Sequence, residues 1–167
     1  TMFTSRGNST REKAAQIIQN NLAKVGIKME IQYLLPNDIA SRFLNSFDYE
    51  AILFGFTPTD AAPDLQTDLW YSTGKMHFWA PNQKKPERLW EASIDALVSK
   101  LVRTTDPTIR KSIFDQVQQI WIEEMPAIPI IAANILVGWS KRLGNVQPSI
   151  LAPHLIWNAE EITKSRF

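Results

Sequence analysis

The stretch from residue 27 to residue 56 constrains the fold more than any other part of the chain. Ile27, Met29, Ile31 and Tyr33 alternate with Lys28, Glu30 and Gln32. An apolar–polar period of two marks a strand with one covered face, so Ile27–Leu35 is predicted as a strand. Pro36-Asn37-Asp38 then opens a helix with Ile39, Ala40, Phe43, Leu44 and Phe47 on its inner face. The run Tyr49–Phe56 follows. After Glu50 it is apolar without alternation, as in a central strand covered on both faces. The linker is about the dozen residues that a parallel crossover requires. Strand, helix and strand in this order make a right-handed β-α-β unit. The expected class is α/β, with a mainly parallel sheet flanked by helices.

Other elements extend this plan. Ser9-Thr10-Arg11-Glu12 fits a capping box with Ser9 as N-cap. Behind it Ala14, Ile18, Leu22 and Val25 form a stripe, and Gly26 supplies a stop, giving a helix Thr10–Val25. Met2-Phe3-Thr4 is strand-like but too short to settle. A helix Glu87–Val102 carries Trp90, Ile94, Leu97, Val98 and Leu101 on one face. Asp106-Pro107 is a cap followed by Pro at the first helical position. Ile113, Val117, Ile120 and Trp121 recur behind it until Pro126 ends the helix. Ala127–Ala133 and Ile135–Trp139 read as strands, with Pro129 placing the first at an edge or a bulge. Gly144-Asn145 marks a turn. The expected core includes Ile18, Leu22, Ile52, Leu53, Leu97, Ile113, Val117 and Ile120. No repeat, low-complexity tract or linker divides the chain, so residues 1–167 are expected to form a single lobe.

Composition narrows the function. The 167 residues carry 18 Lys+Arg against 17 Asp+Glu, for a net charge of +1. A general electrostatic grip on nucleic acid is therefore not expected. There is no cysteine and there are two histidines, His77 and His154. Disulfides, thiol catalysis and Cys-type metal sites are excluded, and no cofactor or metal is expected. No apolar run reaches the ~18–20 residues that span a bilayer. No leader is visible, and the chain opens on Thr1, which points to processing or truncation upstream. The nucleophile-elbow, phosphate-loop, dinucleotide and zinc-protease motifs are all missing.

The loop after the second strand draws attention by position, because ligands gather at the carboxyl ends of parallel strands. Phe56, Thr57 and Asp60 are candidate ligand contacts there. Phe56 offers a ring to stack, Thr57 a hydroxyl, and Asp60 a partner for a ligand cation. Trp70 and Trp79 are further candidates, since Tyr71–Pro86 is a long irregular segment bearing aromatic rings. Two other readings stand beside this one. Asp60, Asp64 and Asp68 supply the carboxylates of a hydrolase, or Trp70 and Trp79 anchor a protein partner. His77 reads as a surface imidazole. Glu123-Glu124 and Glu160-Glu161 read as solvated faces.

The ordered series of features resembles the later lobe of the extracellular solute-binding proteins of family 5, the peptide- and nickel-binding group serving ABC importers. Arg11 through Gly26-Ile27 resembles the family's helix and its turn into a strand. Tyr49 through Phe56 resembles its apolar strand ending in Gly-aromatic, and Asp60–Asp64 its acidic, Pro-containing loop. Ile94-Asp95-Ala96-Leu97 resembles the start of a later helix. Asp106, Arg110, Gln119, Glu124, Pro126, Ile128 and Pro129 resemble a dispersed signature, with Asn145-Val146 and Trp157-Asn158 near its end. The resemblance implies a periplasmic-binding-protein-like lobe of type II, closing on a peptide-like solute against an N-terminal lobe. It implies a membrane permease as partner and a periplasmic or extracellular location, with a lipid tether on the full-length protein. Peptide binders of the family place an Asp shortly after the Gly-aromatic pair. Here Thr59 has the closest spacing and Asp60 lies one further on.

Overall fold

Met2–Ser5 forms the first strand, β1, and it occupies the middle of a three-stranded sheet. The computed structural model describes residues 1–55, 66–132, 134–150 and 152–164. Strand β2 is Ile31–Leu34 and β3 is Ala51–Ile52, and both pair with β1 in parallel, in the order β2-β1-β3. The register sets Met2 opposite Ile31 on one side and opposite Ala51 on the other. The parallel sheet is as expected, but its middle is not. The apolar run at 49–56 supplies an edge strand, and the expected β2 and β3 are separated by β1. The central place of β1 accounts for its burial: Met2, Phe3 and Thr4 are all buried. Phe3 points into a cluster with Ile39 and Phe43, so Met2 and Thr4 point to the other face. The Thr4 hydroxyl donates to the Leu53 carbonyl at 2.9 Å, which satisfies a polar group that burial would otherwise penalise.

Helix α1 spans Ser9–Lys24 and packs on β1 and β2. Its cap is Asn8 rather than Ser9: the Asn8 side chain accepts from Arg11 N at 3.0 Å, and Glu12 reaches back to Gly7 N at 2.7 Å. The expected reciprocal pair is present, shifted by one residue. Gly26 ends the helix region at φ +82, where a side chain is disfavoured. Helix α2, Pro36–Ser41, continues into a π-helical turn, Arg42–Ser46, closed by Phe47 in the left-handed region. Together they bury Ile39 and Phe43, while Ala40 and Leu44 face outward.

The chain divides into two units. Among the described residues the first comprises 1–55 and 68–95, and the second is mainly residue 96 onward. The first unit also holds most of the short helix α3, Thr67–Trp70. Helix α4, Leu89–Val102, begins in the first unit and ends in the second. In the second unit α5 spans Pro107–Glu124 with Asp106 as N-cap, its carboxylate accepting from Thr108 N and Ile109 N. The Arg110 guanidinium closes the end of α4 by donating to Leu101 O and Thr104 O at 3.0 and 2.9 Å. Ile113 and Val117 are buried as expected. Ile18, Leu22, Ile52, Leu53, Leu97 and Ile120 are only half-buried. The runs at 127–133 and 135–139 form no strand among the described residues. The turn expected at Gly144-Asn145 belongs to a small antiparallel ribbon instead, Leu143–Gly144 (β4) with Thr163–Lys164 (β5). Buried Asn158 stitches this ribbon by donating to Asn145 O at 2.9 Å.

Candidate functional site

The carboxyl edge of the sheet in the first unit carries one cluster of functional character. Strand β1 delivers Ser5, β3 delivers Phe54 and Gly55 two and three residues beyond Ile52, and the first turn of α1 delivers Arg11. Arg11 Nη1 donates to the Ser5 hydroxyl at 3.1 Å, and its guanidinium carbon lies 5.2 Å from the centre of the Phe54 ring. A cation over a ring face gains roughly 0.5–2 kcal/mol, according to exposure. A Cβ on Gly55 would come within 2.8 Å of Arg11 Nη2, so glycine there lets the guanidinium lie against the strand exit. Among the described residues Arg11 pairs with no carboxylate. A cation in the first turn of a helix also opposes the macrodipole. Stability of α1 therefore does not explain this residue.

Phe54 is itself held from behind. It meets Phe43 edge to face at 5.1 Å, and Phe43 stacks on Phe78 at 4.6 Å. The Tyr49 hydroxyl donates to Phe78 O at 2.8 Å, and burial pushes the phenol up from its ordinary pKa. Phe54 retains 41% of its surface exposed, so its ring is presented to solvent on a packed aromatic base. Sequence reasoning missed Arg11 as a site residue. The signal was available in a basic residue within the first turn, where it opposes the helix macrodipole.

The segment Tyr71–Ala80 is anchored on α4 by two carboxylates. Asp95 accepts from Ser72 N and from its hydroxyl at 2.8 and 2.7 Å. Glu91, with no exposed surface, accepts from Glu87 N, Arg88 N and Gln83 Nε2 at 3.1 Å each, and from His77 Nε2 at 3.3 Å. Burial alone raises the Glu91 carboxyl, but the bonds from Gln83, His77 and the two backbone amides outweigh it, and its pKa lies below the usual carboxylate value. His77 is not a surface imidazole. It is buried at 1% exposure, with Nδ1 facing Leu69 O at 3.3 Å and its ring 4.0 Å from that of Trp79. The partner that buries it lies 14 residues away, beyond the reach of a local reading.

The candidates named from sequence fare unevenly. Phe56, Thr57, Asp60 and Asp64 lie outside the described residues. Trp70 ends α3 and Trp79 lies in the clamped segment; both are half-buried. Asp68 is exposed. Among the described residues no group of three or more His, Asp or Glu is placed to hold a metal, and no helix is long and apolar enough to cross a membrane.

Comparisons with known proteins bear on this geometry. Residues 1–78 match the sequence profile of the bacterial extracellular solute-binding proteins, family 5, middle region. The dipeptide-binding protein of Pseudomonas aeruginosa is 27% identical over 134 residues, covering 80% of this chain and 24% of that protein. The glutathione-binding protein GsiB of Shigella dysenteriae is 22% identical over 147 residues, covering 86% of this chain and 28% of that protein. This chain thus spans about a quarter of the length of these relatives. Among solved structures, the oligopeptide-binding protein AppA of Bacillus subtilis, in complex with a nonapeptide, shares the fold. Its TM-score is 0.62 at 17% identity, with 99% of this chain and 31% of that chain covered. The substrate-binding protein CtaP of Listeria monocytogenes gives 0.59 at 19% identity, over 70% of this chain and 22% of that one. The profile match over residues 1–78, the relatives and the shared fold agree with the features read from the residues, and the chain is similar to the bacterial extracellular solute-binding proteins of family 5.

Proposed function

We propose that this chain is a solute-contacting lobe of an ABC-importer binding protein for peptide-like solutes. It acts outside the cytoplasm, tethered by a lipid in the full-length protein, and delivers its cargo to a membrane permease. Its role is binding and not catalysis. The observation that carries the reading is Arg11, a cation with no carboxylate partner among the described residues, at the carboxyl edge of a parallel sheet and seated on Ser5 and a half-exposed Phe54. That arrangement suits the carboxylate of a short peptide, with the Phe54 ring against an apolar side chain. Phe56, Thr57 and Asp60 follow directly in sequence. Asp60 supplies the complementary charge for a peptide amino terminus, and Trp70 and Trp79 add apolar walls. The relatives named for dipeptide and glutathione binding support this choice of solute class. Capture proceeds by closure against an N-terminal lobe, in the manner of a hinge.

The test is calorimetric titration of the complete receptor with a panel of dipeptides, glutathione and longer peptides. A charged hydrogen bond is worth roughly 1.5–3 kcal/mol, so Arg11→Ala is expected to weaken binding by about 10- to 100-fold. A peptide amidated at its carboxyl end is expected to show no such dependence. Asp60→Asn and Phe56→Ala test the amino-terminal and apolar contacts in the same assay. Binding unchanged within about threefold for all three variants, or no binding of any peptide, overturns the reading.

A further inference from the structure

We infer that Gly55 is a specificity-determining residue of the solute-facing edge. The absence of a side chain there sets the position of the Arg11 guanidinium, and with it a preference for solutes that end in a free carboxylate. The inference rests on the function proposed above and adds the residue that tunes it. A glycine is ordinarily explained by its backbone, but Gly55 is not. Gly7 and Gly26 both sit at φ +82, in the left-handed region, whereas Gly55 lies outside it. What excludes a side chain at 55 is another side chain. The three atoms nearest a Cβ there all belong to the Arg11 guanidinium: Nη2 at 2.8 Å, Cζ at 3.6 Å and Nε at 3.7 Å.

Two contacts hold that guanidinium in place. Nη1 donates to the Ser5 hydroxyl at 3.1 Å, and Cζ lies 5.2 Å from the centre of the Phe54 ring. Phe54 in turn rests edge to face on Phe43 at 5.1 Å. The strand exit, β1 and the first turn of α1 thus meet on one cation. A methyl group at 55 conflicts with the far end of a flexible side chain and with no backbone atom as near, so the fold accommodates it. It also restricts the unfolded chain, which offsets any small loss of stability. The guanidinium must retreat by about 0.7 Å to restore an ordinary contact of ~3.5 Å. A binding arrangement tolerates displacements of only about 0.5 Å. A change at Gly55 therefore acts on the solute and leaves the fold intact.

The test uses the complete receptor with Gly55→Ala, Arg11→Ala and the double variant. Calorimetric titration compares a dipeptide with a free carboxyl end and the same dipeptide amidated there. Gly55→Ala is expected to weaken binding of the free acid about tenfold, to leave the amide within about threefold, and to hold the melting temperature within about 2 °C. In the Arg11→Ala background it is expected to add nothing. Crystal structures supply a readout without solute: Arg11 Nη2 is expected to shift by at least ~0.5 Å in Gly55→Ala. Wild-type affinity of Gly55→Ala for the free acid overturns the inference, as does a guanidinium that has not moved. Equal losses in both backgrounds also overturn it, by assigning Gly55 a direct contact with solute. A melting temperature lower by more than about 5 °C does so too, by assigning the glycine to the fold. The two conclusions fail separately. A loss with Arg11→Ala but none with Gly55→Ala removes only the role of Gly55. No peptide bound by any form removes the proposed function, and the crystal structures then decide whether Gly55 seats Arg11.

Discussion

Replacing Glu91 by alanine should be among the most damaging single changes in this chain. The carboxylate is wholly buried and serves four donors: the amides of Glu87 and Arg88 at the start of α4, the Gln83 side chain and the His77 ring. Removing one partner from a buried charged arrangement costs about 3–5 kcal/mol, because the remaining groups are stranded away from water. Glu91→Gln keeps the volume and one carbonyl oxygen, but turns an amide NH2 toward groups that are themselves donors. A cost of about 1–3 kcal/mol is expected from the lost bonds. Urea denaturation at neutral pH measures both. The pH dependence supplies a second readout. Because the folded pKa of Glu91 is lowered, its contribution is complete above the ordinary value of 4.5 and disappears as pH falls through the lower folded value. The gap between wild type and Glu91→Ala should therefore be constant from about pH 8 to pH 5.5 and narrow below pH 4.5. A neutral-pH cost under ~1 kcal/mol would refute the claim that the carboxylate holds the segment from His77 to Arg88. A gap unchanged at pH 3 would refute the claim that its charge does so.

Four further outcomes are expected. Ile113→Ala, at a fully buried position on α5, should cost about 2–5 kcal/mol by denaturation, whereas Ile122→Ala, 61% exposed on the same helix, should stay within about 0.5 kcal/mol. Asp106→Ala removes the α5 cap and should cost about 0.5–2 kcal/mol, with Asp106→Asn recovering most of it. Gly74→Ala places a Cβ 2.1 Å from the Asp68 carbonyl oxygen, a backbone atom that cannot step aside, so it should cost at least ~1–3 kcal/mol and loosen the Met76 N bond to that oxygen. Absorbance titration should show a tyrosine ionising above 10 that Tyr49→Phe abolishes.

The helices were legible because their signals are local. Asp106-Pro107 announces α5, and the stripe ending at Gly26 announces α1, with the cap displaced by one residue because Asn8 competes with Ser9 for the same role. The strands were legible as parallel but not in their limits. Ile27–Leu35 shrinks to Ile31–Leu34 because only Met2–Ser5 is available to pair with it. A four-residue strand gives too few alternations to reveal that it is central. Half of the candidate site was legible by position alone, as the exit of the Tyr49–Phe56 run. The other half, Arg11, comes from an element 43 residues earlier than Phe54 and converges only through the parallel sheet. Glu91 left a trace that was overlooked: it precedes Ile94, Val98 and Leu101 at helical spacing, so a carboxylate stands on the apolar stripe.

The central place of β1 sets the order in which the sheet assembles. Its partner β2 begins 29 residues after Met2 and its partner β3 begins 49 residues after. Closing the longer loop costs about 0.5 kcal/mol more in chain entropy, and β3 offers only two ladder pairs against four. Docking of β2 should therefore lie within the folding transition state, and docking of β3 after it. Substitutions at Tyr33 should slow refolding, while Ile52→Val should mainly speed unfolding. The strand exit that carries Phe54 is then the last part of the sheet to form and the first to come apart. Its opening from the finished sheet needs the loss of those two pairs, of the Leu53 bonds to Phe3 O and to the Thr4 hydroxyl, and of the Phe54–Phe43 contact, a local event that leaves the β1–β2 ladder in place.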